Sequence, residues 1–424
     1  MKSAFRFIVF LIAASFFLVR QIYVNLLHVD KALVSAFFVL AMAVTGVMLL
    51  VRRLKIYKPS FFWIDLLLAT QICIAGIAIV LYAMAGKVTA TEGVYALYYH
   101  CFAPLLIYVG FYAETASKKR MREWTAAISV IFVVMIIVSV LQVCGIDWWV
   151  FRNENWQFIK TFFGIPRATA GFGTQIDFGL LCFIFFVYSF YAYFESKSAL
   201  SAGMACLAFV GIILTFSRMF IFAGMAVFFV QFVRPSVLAS IRQKGKVLVS
   251  VALLLVLIGV AFNELNILAI FKAEDAITQD SNDSRISFVE KLPRWLLQDY
   301  AYIGVGPGTQ NGPNDTDTKL VGDFLWLGLL LEFGTLTGSI LVMLKVLLLC
   351  VILFSYLRSE SNALATSAFA LTLSFALVSF INSSFANMTT ISVFYLFIGK
   401  YYFEYQKRSS ESRGSLPIPV YGVS

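Results

Sequence analysis

Charge is scarce in this chain. Of 424 residues only 13% are Asp, Glu, Lys or Arg, about half the share found in soluble globular domains. With 60% hydrophobic residues and a mean hydropathy of +0.86, that shortage excludes a water-soluble fold and places the chain among membrane proteins. Histidine occurs twice, as His28 and His100. The six cysteines all fall in or beside apolar runs, and none lies in the long polar stretch, so no disulfide framework is expected. There is no internal repeat, no low-complexity tract, and no small-residue cleavage site followed by a soluble domain. The opening MKSAFRFIVF therefore reads as a first membrane span rather than a leader.

What is present is a series of apolar runs. A span needs about 20 apolar residues. Runs at about 5–24, 32–51, 61–83, 95–113, 125–145, 176–194, 199–216, 219–233, 247–262, 335–357, 364–384 and 388–404 predict an all-α polytopic protein with about twelve transmembrane helices. Alternate connections are basic: Arg52, Arg53, Lys55 and Lys58, then Lys118, Lys119, Arg120 and Arg122, then Arg234, Arg242, Lys244 and Lys246, then Lys407, Arg408 and Arg413. These predict cytoplasmic loops and two cytoplasmic termini. The formal charge of +10 is then topological and points to no nucleic-acid partner. The expected organisation is helices one to nine over 1–262, a large external loop with a helical segment over 263–323, helices ten to twelve over 324–405, and a polar, disordered tail over 406–424.

The informative charges are those on the other side. Arg167 in PRATAGFG, Arg218 in LTFSRMF and Arg285 in NDSRISF fall in outer connections. The arginine fork matches phosphate oxygens and keeps its proton. Three such residues from separate segments could hold an anion, although any one of them can equally snorkel to lipid headgroups. Gly171 and Gly173 follow Arg167 and allow close backbone approach. Arg218 stands at a helix start, where free N–H groups favour anions. Asp283 or Ser284 can cap a helix running to about Tyr300. On its 3.6-residue period Arg285 shares an apolar face with Val289, Leu292 and Leu296, whereas Arg294 lies with Ser287, Glu290 and Gln298. Pro293 can kink that helix. Arg285 is thus expected to point inward, toward a ligand phosphate or a loop carboxylate such as Asp315 or Asp317.

The glycines of YIGVGPG, Gly304, Gly306 and Gly308, predict a tight turn, with no GK[ST] to make it a nucleotide loop. In GDFLWLGLLLEFG, Asp323 stands where the loop re-enters the membrane and Glu332 lies nine residues on. The apolar run from 324 to 357 is too long for one upright span and predicts a short helix, a break near Gly334, and then the span. Lys345 falls inside that span with no partner in view.

In order and spacing, PRATAGFG before an apolar helix, LTFSR at a helix–helix turn, DSR leading to GVGPG, and GDFLWLGLLLEFG at loop re-entry resemble the O-antigen polymerase and ligase superfamily, whose polymerases are often called Wzy. The resemblance implies a GT-C-type glycosyltransferase that uses no nucleotide sugar, metal or other cofactor. Its donor and acceptor would be oligosaccharides on undecaprenyl diphosphate, at the outer face of a bacterial cytoplasmic membrane. Membrane lipid and a chain-length regulator protein would be further partners. Arg167, Arg218, Arg285 and, less strongly, Arg294 would hold the donor diphosphate. Asp323, with Glu332 second, would orient the acceptor hydroxyl in an inverting transfer, and each carboxylate has an alternative reading as a helix cap or a structural ion pair. Ligases of the superfamily carry a histidine at the position of Asp323, so its absence favours a polymerase. A ligase, or in another class a flippase for lipid-linked sugar, is the alternative.

Overall fold

The computed structural model describes residues 4–9, 11–12, 20–28, 44, 47–48, 62–113, 118–146, 161–162, 165–172, 175–215, 220, 223, 227, 297, 302–307, 325–358, 366–368, 370–372, 374, 394–396 and 398–402. Within them the protein is a helical bundle. Its elements are α1 (Arg20–Leu27), α2 (Phe62–Met84), α3 (Ala90–Leu97), α4 (Ala103–Ala113), α5 (Lys118–Val143), α6 (Gln175–Ser196), α7 (Ala199–Leu214), α8 (Leu325–Phe333) and α9 (Thr335–Arg358). A two-residue antiparallel ladder pairs β1 (Thr161–Phe162) with β2 (Ile165–Pro166). Five helices among the described residues are long and apolar enough to cross a membrane: Ile64–Met84, Glu92–Gly110, Thr125–Val143, Gln175–Ser196 and Thr335–Ile352. The chain is therefore a membrane protein of mostly helical build. Of the other expected spans, 199–216 is the shorter apolar helix α7, 5–24, 364–384 and 388–404 are described in part, and 32–51, 219–233 and 247–262 lie wholly or largely outside the described residues.

The 23 residues of α2 give a rod of about 34 Å, enough to cross about 30 Å of hydrocarbon. Its Ile77, Val80 and Leu81 side chains stand exposed on the bundle surface, as lipid-facing residues do, while Leu68, Ala75 and Ile79 are buried. Asp65 lies in its first turn, where an acid suits the helix dipole, and its Oδ1 accepts a 2.8 Å hydrogen bond from the Tyr108 hydroxyl, midway along α4. The return helix begins earlier than its apolar run predicts. Thr89 and Glu92 form a capping box, with the Glu92 N–H donating to Thr89 Oγ1 and the Thr89 N–H to Glu92 Oε2. That polar turn carries the helix out to Ala90, which counting apolar residues alone does not detect. Likewise α5 starts at Lys118, inside the basic segment KKRMREW, and not at the first apolar residue.

Between α3 and α4 the helix widens into a π-turn over Tyr98–Phe102, and the Ala103 N–H bonds back to the Tyr98 carbonyl. Gln71 Nε2 of α2 donates to the His100 carbonyl in this turn at 3.3 Å. The main core lies where α5, α6 and α7 pack together, with Phe132 stacked on Phe185 at 4.2 Å and with Phe178 and Phe183 fully buried. A second cluster joins Ala75, Ala78 and Ile79 of α2 to Ala96, Cys101, Leu329, Phe333 and Leu341, where α8 and α9 meet α2 and α3. The short helix, break and span expected over 324–357 are all present. Gly334 has φ +78°, a left-handed value that a side chain disfavours, and it separates α8 from α9. All six cysteines are free.

Candidate functional site

Two turns meet helix ends: 165–172 bonds to the C-terminal ends of α5 and α7, and 302–307 to those of α2 and α8. The first is 165–172, the PRATAGF segment. Its backbone is pinned in three places: the Ala168 N–H donates to the Leu214 carbonyl at 3.0 Å, and the Thr169 and Ala170 N–H groups donate to Gln142 Oε1 at 3.0 and 2.9 Å. The Phe172 N–H closes a turn on the Thr169 carbonyl. Ala170 (φ 48°) and Gly171 (φ 85°) reverse the chain through left-handed conformations. The Ala168, Thr169, Ala170 and Phe172 N–H groups bond to protein and hold the loop as a rigid mount, and Gly173, one of the two glycines expected to allow close backbone approach, lies outside the described residues. Arg167 is carried on it, half-buried, one peptide from Ala168. Thr169 Oγ1 is buried and has no hydrogen-bond partner among the described residues. Leu214, which accepts from Ala168, stands three residues before Ser217 in the TFSR motif. Asp177, buried in the first turn of α6 just beyond the loop, is a carboxylate that the sequence reading passed over.

The second turn is 302–307. The Val305 N–H donates to the Leu331 carbonyl at 2.9 Å, and the Gly306 N–H to the Glu332 carbonyl at 3.1 Å. The Gly304 N–H donates to the Tyr82 hydroxyl at 2.6 Å. A Cβ on Gly304 would collide with the Leu331 and Glu332 carbonyls, so the turn seats there only because it has none. The buried C-terminus of α8 is thereby capped by the GVG backbone, which satisfies two carbonyls that a helix end leaves open.

Beneath this turn lies a group of ionisable side chains. Glu332 is 5% exposed, and its Oε2 lies 3.5 Å from His100 Nε2. His100, 8% exposed, packs edge-on against Phe333 with ring centroids 5.1 Å apart. Lys345 is 7% exposed and interacts electrostatically with Glu332 and His100. It sits ten residues into α9, about 15 Å along the axis. Lys345 thus has the acidic neighbour that its sequence context did not disclose. His100, set aside in the sequence reading, stands against Glu332, nine residues beyond Asp323. The signal that could have found the pairing is charge balance. A lysine inside an apolar span calls for an acid, and Glu332 is the nearest acid in the same apolar run.

Of the residues expected to bind or react, Arg167 and Glu332 are described. Arg218, Arg285, Arg294 and Asp323 lie outside the described residues, as does the helix expected after Asp283. Among the described residues no group of three or more His, Cys, Asp or Glu side chains is placed to hold a metal ion. No family model matches the chain, and no curated protein matches it.

Proposed function

We propose that the chain is a polysaccharide polymerase of GT-C type with about twelve spans and both termini cytoplasmic. It joins undecaprenyl-diphosphate-linked oligosaccharide repeats at the outer face of a bacterial cytoplasmic membrane. The observation that carries the reading is the mounting of the Arg167 loop on the end of α7. The Ala168–Leu214 bond joins the PRATAG motif to the start of the TFSR motif, and the Val305–Leu331 and Gly306–Glu332 bonds join the GVGPG turn to the LLLEFG helix end, so the four motifs behind the resemblance meet in two pairs. The buried hydroxyl of Thr169, two residues from Arg167 and without a hydrogen-bond partner among the described residues, is a further polar atom for an anionic group.

In this reading Arg167, Arg218 and Arg285 grip the donor diphosphate and stabilise its charge as it departs. Asp323 orients the acceptor hydroxyl and takes its proton late. A charge-assisted phosphate contact contributes about 1.5–3 kcal/mol, so Arg167→Ala or Arg285→Ala lowers donor binding at least about tenfold. Lysine restores little, because the planar fork is lost. The test is the glycan left on the carrier lipid. Deletion should leave single repeats, and complementation by Arg167→Ala at normal protein level should fail to restore long polymer. Long polymer retained on the carrier would mean a ligase instead. The buried His100–Glu332–Lys345 group favours one second reading, a transporter of lipid-linked sugar, since charges inside spans mark ion-coupled pathways. Untransported repeats trapped on the cytoplasmic leaflet would select it.

A further inference from the structure

We infer that Gln142 is a positioning residue: its side-chain amide braces the 165–172 turn so that Arg167 is presented at one fixed place on the bundle. The brace is a property of the fold, whereas its consequence for donor binding rests on the polymerase reading.

The turn is one that needs a brace. It reverses the chain through two left-handed residues, and one of them, Ala170 at φ 48°, carries a Cβ and adopts that conformation only where its surroundings hold it. Residues 168–172 are buried, so an N–H there that lacks an acceptor costs stability. Gln142 is 1% exposed, near the end of α5. Its Oε1 accepts from two successive donors, the Thr169 N–H at 3.0 Å and the Ala170 N–H at 2.9 Å. Two donors at that atom also settle which end of the amide faces the turn, because the NH2 end accepts neither. One of the two bonds falls on the left-handed residue itself.

The brace ties the turn to two helices at once. Gln142 belongs to α5, and the acceptor of the preceding N–H, the Leu214 carbonyl, belongs to α7. Close packing sets the spacing of these helices: a Cβ on Gly211, three residues before Leu214, would press on the Ile136 side chain of α5 and on Cys182 of α6. Three consecutive N–H groups, 168 to 170, are thus registered to the bundle. On the other side of Arg167, Pro166 pairs with Thr161 in the β1–β2 ladder. Arg167 stands between the ladder and the pinned amides, half-buried where the residues after it are buried, so it is where the braced backbone emerges. In the polymerase reading, the arginine fork then meets a diphosphate without a loop having to be ordered first. Gln142 acts through Arg167 and does not itself contact the donor.

The test uses the full chain in lipid nanodiscs and two readouts. Gln142→Met keeps the length of the side chain and removes the acceptor. Hydrogen–deuterium exchange of the Thr169 and Ala170 amides should accelerate by about 30- to 100-fold, as for two stranded N–H groups, with the Gly304, Val305 and Gly306 amides unchanged because the bundle stays intact. Gln142→Glu presents an oxygen at the same place in either charge state and should keep exchange within about tenfold of the parent. The second readout is binding of radiolabelled undecaprenyl diphosphate. Gln142→Met should weaken it by about three- to tenfold, Gln142→Glu should recover most of the affinity, and Gln142→Met should cost an Arg167→Ala protein nothing further. The brace is overturned if Gln142→Met leaves exchange at 169–170 unchanged, if the 304–306 amides accelerate equally, or if Gln142→Glu behaves as Gln142→Met does. The positioning role is overturned if Gln142→Met weakens the Arg167→Ala protein as much as it weakens the parent. Exchange needs no ligand, so the brace can fail while the glycan reading stands. Normal diphosphate binding by Arg167→Ala would overturn that reading's use of Arg167, and the positioning role with it, and leave the brace in place.

Discussion

The turns at 165–172 and 302–307 are built from similar material, a glycine-bearing segment bonded to helix ends through its backbone, yet they rest on different foundations. The first is seated on neutral groups: the Gln142 side-chain carbonyl and the Leu214 main chain. The second is seated on a helix end whose own side chain enters a charged cluster. A neutral brace fails locally, because removing its acceptor strands only the N–H groups it served. A charged brace fails over a wider region, because removing one member leaves an ion inside the bundle. In an apolar protein with so few charges, the place where opposite charges are buried together is where small chemical changes should have the largest structural effect.

Four substitutions sharpen that contrast, read by thermal unfolding of the purified protein and by amide exchange. The largest effect is expected for Glu332→Gln, which removes the buried carboxylate 3.5 Å from His100 and should destabilise by about 3–5 kcal/mol. A loss under about 1 kcal/mol would mean that the two groups are not an interacting pair. Gln142→Leu comes next. It leaves the Thr169 and Ala170 N–H groups without their acceptor and should cost about 2–3 kcal/mol. Exchange should rise at 168–172 and stay unchanged at 304–306; a rise at both would erase the contrast between the two braces. Gly334→Ala forces a Cβ onto a φ of +78°, close to the Tyr302 carbonyl, and should cost about 1–2 kcal/mol, felt at the α8–α9 junction. The smallest effect is expected for Tyr82→Phe. It removes the acceptor for the Gly304 N–H, about 1 kcal/mol, and should accelerate that amide alone.

Much of the scaffold was legible in the chain. The runs predicting spans at 61–83, 176–194, 199–216 and 335–357 match α2, α6, α7 and α9 to within a few residues. The break at Gly334 followed from a run too long to cross once. The earlier starts of α3 and α5 were missed because each first turn is polar, supplied in one case by a capping box and in the other by basic residues. Of the candidate site, the residue types and the turns were legible, but the partners were not. PRATAGF reads as a loop that could cradle an anion, and nothing in its own letters says that Gln142 takes its N–H groups. Lys345 reads as an unexplained charge, and His100 as an isolated histidine.

What the sequence determined by itself is what depends on the chain one segment at a time. It set that the protein lies in a membrane, where its apolar helices run, and where a glycine permits a break, because burial in lipid and backbone sterics act locally. The tertiary structure decided which side of each helix faces inward and which side chain meets which. A span that is apolar all round carries no periodic stripe to mark its inner face, so azimuth cannot be read along it. Only the packing of α2, the π-turn, α8 and α9 brings Gln71, His100, Glu332 and Lys345 to one point, through contacts between residues as far apart in the chain as His100 and Glu332.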